Sequence, residues 1–533
     1  MPHDPFVRDH TPSRDAQPEF RFTLPELRYP PRLNVVVELL DRWMERGHGE
    51  KPCFIGPQEA WTYAETAAQV DRYANALVKQ YGLLPGQRVL LRAPNSPRMA
   101  AAYLAVMKAG GIVVATMPLL RAPELAAVIT KARIDLALCD ARLLPALEEA
   151  QRACPTLTRI VTFAAADAEL DRAAERVDAH FDAYDSASDE PCLLGFTSGT
   201  TGGPKATIHY HRDLLAIADT YGRHVLRAES NDRFIGSPPL AFTFGLGGLV
   251  IFPLRVGASA VLLEKAPPEE LLAAIRHYRP SIVFTAPTAY KAMLSKLEPG
   301  DTSSLRRCVS AGETLPASTF EAWRSATGLP LMDGIGATEM LHIFIGSPAD
   351  EARAGSTGRV VPGYEARVVD ANGAAVADGT PGQLAVRGPT GCRYLDDPRQ
   401  ARYVKDGWNY PGDTYIRDAD GYFWYQARSD DMIISSGYNI AGPEVEAALL
   451  THPAVLECGV VGLQDADRGT VVAAFVVVQP GITADASLAL ALQEHVKATI
   501  APYKYPRVVE FVLELPKTAS GKLRRNVLRE ARG

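Results

Sequence analysis

Between Thr62 and Val161 short apolar runs alternate with helical patterns, and that alternation restricts the chain to parallel strands joined by crossover helices. Thr62-Tyr63-Ala64-Glu65 has the spacing of a capping box, and Val70, Tyr73, Ala74, Leu77 and Tyr81 follow at helical intervals until Gly82 ends the pattern. Val89-Leu90-Leu91 reads as a buried strand. Ser96-Pro97 reads as the cap and first turn of a second helix ending at Gly110-Gly111, with Ile112 to Ala115 as the next strand. Leu136-Ala137-Leu138 and Ile160-Val161 continue the series. At 533 residues the chain exceeds what one core can cover, so at least two domains are expected.

Within this framework one stretch is hard to explain as fold chemistry. The apolar Cys192-Leu193-Leu194 leads into Thr197-Ser198-Gly199-Thr200-Thr201, then Gly202-Gly203-Pro204-Lys205. The order is strand, flexible loop, fixed cation. Glycines let backbone N–H groups turn toward an anion, hydroxyls add donors and a lysine supplies a point charge, so the stretch suits phosphate. A Walker A loop would end in Gly-Lys-Ser/Thr, whereas this chain has Pro204-Lys205-Ala206. The bland alternative is a Gly/Ser/Thr linker, against which the strand before it and the lysine after it both count.

Composition narrows the partners. A net charge of −6 offers no basic footprint for nucleic acid or an anionic membrane. The seven cysteines (Cys53, Cys139, Cys154, Cys192, Cys308, Cys392, Cys458) are scattered without CxxC spacing, which argues for reduced thiols and against zinc or a disulfide frame. The first twenty residues are polar and rich in Pro, Asp and Arg, unlike a signal peptide. The apolar stretch Gly245 to Leu254 is too short to span a bilayer. The expectation is a cytoplasmic enzyme, monomer or homodimer, whose residues 1–25 form a flexible tail.

The run from Phe196 to Ala206 resembles the phosphate-binding signature of the adenylate-forming superfamily of acyl-CoA synthetases, peptide-synthetase adenylation domains and luciferases, with Ala206 where the family usually has Gly. Companion motifs follow in the family's order. Ser310 to Thr314 resembles the adenine-side loop, which implies nucleotide contacts for Gly312, Glu313 and Thr314. Asp333-Gly334-Ile335-Gly336-Ala337-Thr338-Glu339 is similar to the segment usually written Tyr-Gly-x-Thr-Glu. There Asp333, Gly334 and Ile335 would lie against the base, Thr338 and Glu339 would serve catalysis, and Glu339 would offer oxygen to Mg²⁺. Read alone, Glu after Thr is a helix start. Asp413 matches the aspartate that accepts from both ribose hydroxyls, although Asp in a glycine-rich turn is also an ordinary turn former. Arg428 matches an arginine that touches ribose or phosphate two residues before an acidic hinge, here Asp430.

The resemblance implies an α/β protein: a large adenylation domain of parallel-rich βα sheets over residues 26–429, and a small mobile α+β lid over 430–533 turning at Asp430. In the lid, Gly437 and Tyr438 would line a pantetheine tunnel that only a missing side chain keeps open. Pro516 to Arg524 resembles the closing motif whose last lysine, Lys522, works in adenylation. By itself that stretch reads as a solvated basic tail.

For the acid, Ser237 to Gly248 mixes aromatics with glycines. Its bland reading is a core strand turning into a helix; in the family an aromatic here closes the carboxylate pocket, which implies Phe242, Thr243, Phe244 and Gly245 as pocket residues, together with Ala311 and Gly336. His342-Ile343 resembles the pair lining the aryl pocket of benzoate-type CoA ligases, although a lone His beside apolar residues is usually a satisfied core histidine. SPPLAFTFGLGGLVIFP most resembles 2-aminobenzoate–CoA ligases. The implied function is an ATP-dependent aryl-acid CoA ligase using ATP, Mg²⁺ and coenzyme A on 2-aminobenzoate or benzoate. Its alternatives are an adenylation enzyme that loads a carrier-protein thiol, a medium-chain fatty acid–CoA ligase, and a non-catalytic nucleotide binder.

Overall fold

The computed structural model describes residues 3–165, 167–197, 203–428, 431, 433–435, 438–465, 469–500, 502–518 and 522–530. The alternation read from the sequence forms a six-stranded sheet in which Arg159–Phe163, Leu136–Asp140, Arg88–Arg92, Ile112–Ala115 and Pro191–Thr197 run parallel. Lys205–Tyr210 closes one edge antiparallel. The capping box forms as expected: Thr62 Oγ1 accepts from the Glu65 amide at 3.2 Å and Glu65 Oε2 from the Thr62 amide at 2.8 Å, starting helix Tyr63–Lys79. Helix Pro97–Lys108 buries nearly every side chain, as a helix enclosed on all sides must.

A second, nine-stranded sheet contains six parallel strands, in the order Pro52–Ile55, Ser259–Val261, Arg233–Gly236, Ile282–Thr285, Arg307–Ala311 and Leu331–Gly336. Antiparallel strands Ile343–Gly346 and Arg359–Val360 extend it beyond Leu331–Gly336. One apolar core draws on both sheets and the helices that pack on them. A third sheet, antiparallel and built within residues 365–428, carries Asp413–Arg417 beside Phe423–Arg428. The C-terminal part has its own core of Val445, Leu449, Val460, Val472, Val476 and Leu492 under strands Val455–Asp465, Gly469–Val478 and Val508–Phe511. The protein is therefore the expected α/β fold, a large parallel-rich domain followed by a small α+β one. Asp430 lies outside the described residues.

The N-terminal segment departs from expectation, because it is packed rather than loose. Val7 is buried, Asp4 Oδ2 pairs with Arg88 Nη1 at 2.6 Å, and Phe20 lies 4.0 Å from the Arg393 guanidinium. Glu19 and Arg21 donate their amides to the Gly407 and Gly388 carbonyls at 2.8 and 2.9 Å. A polar average hid a few anchors spaced along an extended, proline-stiffened chain. Among the described residues no helix is long and apolar enough to cross a membrane.

Candidate active site

The site lies at the carboxyl ends of the parallel strands in the second sheet, where the edge hairpin of the first sheet meets them. In that hairpin Thr197 pairs with Lys205, so the lysine stands on the first residue of a strand and its backbone is fixed. The intervening Ser198, Gly199, Thr200, Thr201 and Gly202 lie outside the described residues. Thr197 Oγ1 is buried with no hydrogen-bond partner among the described residues.

Glu339 reaches the same point from the other sheet. Strand Leu331–Gly336 runs into a short 3₁₀ turn, Thr338–Met340, that presses on the hairpin: a Cβ on Gly195 would lie 2.7 Å from Thr338 Cγ2. His209 Nε2 donates to the Thr338 carbonyl at 2.8 Å, and burial pushes its pKa down to about 4, so the donor is a neutral imidazole. Lys205 Nζ then stands 3.4 Å from the buried Glu339 Oε1. Tyr394, which the sequence reading missed, joins them: its hydroxyl accepts from Lys205 Nζ at 2.8 Å and donates to Glu339 Oε1 at 2.5 Å. It sits in Gly391-Cys392-Arg393-Tyr394-Leu395, a run with no glycine-loop or acid–base spacing to give it away.

On the adenine side, strand pairing sets Ser310 against Asp333 and Ala311 against Gly334, so both glycine turns open on one crevice. Gly312 has φ +93°, a conformation that other residues adopt only under strain. Asp333 Oδ1 is buried without a partner, and burial pushes its carboxyl up to about 8. Burial also raises Glu313, while Thr288 and then Lys522 and Lys517 of the small domain pull it back. The Lys522 side chain is exposed, and its amide donates to Thr518 Oγ1 at 3.1 Å. Thr314 is exposed and Ile335 half-buried beside the same crevice.

Asp413 and Arg428 are strand partners, with Arg428 Nη1 3.3 Å from Asp413 Oδ1 and donating to the Pro411 carbonyl at 2.9 Å. Two buried tyrosines tie this pair to the rest. Tyr403 feels both Glu339 and Asp413, and Tyr415 feels Asp413 and Asp333. Lys205 touches Glu339, Asp333 lies on the strand that leads into the Glu339 turn, and Asp413 pairs with Arg428.

The last wall is aromatic. The antiparallel return from Gly336 sets Ile343 opposite it, with Leu341 at φ +70° in the turn. His342 is buried with ring centroids of Phe252, Tyr221, Phe244 and Phe284 at 4.6, 5.4, 5.8 and 6.4 Å. Burial pushes its pKa down to about 3, with a weak opposing pull from the Phe244 backbone. Among the described residues neither ring nitrogen has a partner within hydrogen-bond geometry. Phe242, Thr243 and Phe244 are half-buried where helix Thr243–Leu246 begins, and a Cβ on Gly245 would fall 2.1 Å from the Pro239 carbonyl oxygen. Of the tunnel pair, Tyr438 is described only as backbone in strand Tyr438–Ile440, and Gly437 lies outside the described residues.

Comparison with known proteins matches residues 40–393 to the AMP-binding enzyme family and 444–522 to the AMP-binding enzyme C-terminal domain. The chain belongs to the AMP-binding enzyme family. It is 37% identical over 516 residues to a benzoate–CoA ligase of Thauera aromatica, covering 96% of this chain and 98% of that protein. Among solved structures it resembles the anthranilate CoA ligase AuaEII in complex with anthranoyl-AMP, with TM-score 0.89 and 34% identity over 96% of this chain and 99% of that one. A benzoate CoA ligase from Burkholderia xenovorans LB400 follows with TM-score 0.85 and 31% identity over 93% and 100%. For an AMP-binding enzyme the two matched regions fall where the two domains do, and the second ends at Lys522.

Proposed function

We propose that this AMP-binding enzyme is an ATP-dependent CoA ligase for an aryl acid, with 2-aminobenzoate first and benzoate next. The observation that carries the reading is the meeting of Lys205 and Glu339 across the two sheets, with the aromatic box around His342 three residues beyond Glu339 on the same segment. The likeness to anthranilate and benzoate CoA ligases over nearly the whole chain supports the same substrate class.

The first half-reaction is electrostatically difficult, since a carboxylate must approach a polyanion. One carboxylate oxygen bonds to the α-phosphorus of ATP as the bond to the β-phosphate oxygen breaks, giving acyl-AMP and pyrophosphate. Thr197, Ser198, Gly199, Thr200, Thr201, Gly202 and Lys205 hold the departing phosphates. Gly312 to Thr314 and Asp333 to Ile335 flank the adenine, Asp413 and Arg428 hold the ribose, and Lys522 comes between the carboxylate and the α-phosphate. Mg²⁺ fits Glu339: Oε1 is engaged and Oε2 has no partner among the described residues, which suits a cation that takes one carboxylate and fills its shell with phosphate oxygens and water. Bound there it would neutralise charge on the triphosphate. In the second half-reaction the lid turns at Asp430, withdraws Lys522 and brings Gly437 and Tyr438 to the CoA arm, whose thiol displaces AMP.

Phe242, Thr243, Phe244, Gly245, Ala311, Gly336 and Ile343 shape a slot for a flat ring. The neutral, unpartnered His342 imidazole offers one donor and one acceptor to a polar ring substituent, which favours 2-aminobenzoate. Seven free cysteines, six of them buried, fit a cytosolic location. Pyrophosphate release over benzoate, 2-aminobenzoate, 3-hydroxybenzoate and medium-chain fatty acids, followed by thioester formation with free CoA, tests the reading. Preference for the fatty acids would overturn the aryl assignment, and adenylation without transfer to CoA would favour a carrier-protein acceptor.

A further inference from the structure

Tyr394 is held by groups that play no part in the proposed chemistry. Residues 393–395 pair with the edge of strand Lys205–Tyr210, where Ile208 donates to the Arg393 carbonyl and Leu395 to the Ala206 carbonyl, both at 2.8 Å. Arg393 is fully buried, 2.7 Å from the equally buried Asp213 carboxylate, with the rings of Phe20 and Tyr210 each 4.0 Å from its guanidinium. The Tyr394 amide donates to Gln400 Oε1 at 2.8 Å, and its ring meets Tyr403 edge-on at 5.7 Å.

The ring centroid lies 4.9 Å from Lys205 Nζ, and the hydroxyl reaches both site residues. It accepts from Lys205 and donates to Glu339 at the same time, which a phenol can do with one hydrogen and two lone pairs. Both contacts to Glu339 fall on Oε1, and among the described residues Oε2 takes neither. Without the hydroxyl, the lysine, already paired with this buried carboxylate at 3.4 Å, would draw closer into a tighter ion pair. That would turn the cation away from phosphate and commit the carboxylate.

We propose that Tyr394 is a positioning residue for the triphosphate site: its hydroxyl bridges Lys205 and one oxygen of Glu339, keeps their direct contact long, and leaves Glu339 Oε2 for the magnesium–nucleotide complex. The inference rests on the function proposed above. The test uses full-length Tyr394→Phe, which keeps the ring against Tyr403, titrated calorimetrically with MgATP and separately with AMP in the absence of metal. Losing a hydrogen bond to charged groups should weaken MgATP binding roughly tenfold or more and raise the Mg²⁺ needed for half-maximal pyrophosphate release. Metal-free AMP binding and thioester formation from supplied acyl-AMP should be unchanged. In a Glu339→Gln background the same substitution should cause a smaller further loss of MgATP affinity, because one of the two groups it positions is gone.

Unchanged MgATP affinity and Mg²⁺ dependence in Y394F would overturn the proposal. Equal weakening of MgATP and AMP with a lowered melting temperature would also overturn it, as the mark of a purely structural residue. Tyr394→Leu, read by the same two titrations, serves if the phenylalanine variant does not accumulate. Wild-type protein that binds no MgATP would refute the function reading itself, a result separate from any difference between variants.

Discussion

Replacing Asp333 by Asn tests the electrostatics of the crevice without changing its shape. Asp333 Oδ1 is sealed from solvent without a partner, and burial pushes the carboxyl up to about 8 against a weaker pull from the Gly334 amide. In the unfolded chain the same group titrates near 4. The folded state therefore keeps a proton that the unfolded state has lost, and stability falls as pH rises through that window, levelling off above 8. One proton corresponds to at most about 1.4 kcal/mol per pH unit, and with the group half-titrated at 8 the loss between pH 7 and 8 comes to about 1 kcal/mol. His209, His211 and His342, pushed down to about 4, 3 and 3 by burial, titrate below that interval in the folded state, and the difference between wild type and Asp333→Asn isolates the contribution of Asp333. The five tryptophans (Trp43, Trp61, Trp323, Trp408 and Trp424) all precede residue 430, so urea unfolding followed by tryptophan fluorescence reports on the large domain alone. Wild type should lose stability from pH 7 to 8 and Asp333→Asn should not. Parallel pH dependences in the two proteins would refute the buried, protonated carboxyl.

The three histidines set the opposite trend in acid: their neutral forms stabilise the fold above about pH 6.5, and that contribution is lost as pH falls toward their lowered values. His342→Phe should flatten this acid limb, and an unaltered limb would exclude it as a contributor. Lys522→Ala should abolish acyl-AMP formation and leave thioester formation from supplied acyl-AMP largely intact, whereas equal loss of both would end the separation of roles. Gly437→Leu should spare pyrophosphate exchange and block transfer to CoA; normal CoA turnover would discard the tunnel. In Gly247→Ala a Cβ would lie 2.3 Å from His342 Cδ2, and overpacking of about 1–3 kcal/mol should lower kcat/KM for the aryl acid while the KM for ATP holds. An equal change in both would argue against His342 as a pocket wall.

How far the site could be read depended on how each residue is recruited. The Lys205 loop, the Glu339 segment and Asp413 stand in glycine-rich runs, because a backbone that must approach a phosphate or a flat base cannot carry a Cβ. Tyr394 needs no special backbone, only a neighbour strand to pair with, so its surroundings look like any other. The antiparallel sheet of residues 365–428 was largely hidden for a related reason: its strands are as short as Val404–Lys405 and Trp408–Asn409 and show no sustained period. The N-terminal segment was misjudged because average polarity conceals Val7 and Phe20.

Sequence by itself determined the βα alternation, the capped helix at Thr62, the order of the nucleotide motifs and the scatter of the cysteines, all of which depend on local spacing and backbone chemistry. Only the tertiary structure decided that Lys205 and Glu339, 134 positions apart, share one tyrosine hydroxyl, and that His342 is enclosed by four aromatic rings with no hydrogen-bond partner among the described residues. The physical reason is that hydrogen-bond satisfaction and desolvation depend on what the other sheet brings alongside, and no periodicity along the chain records that.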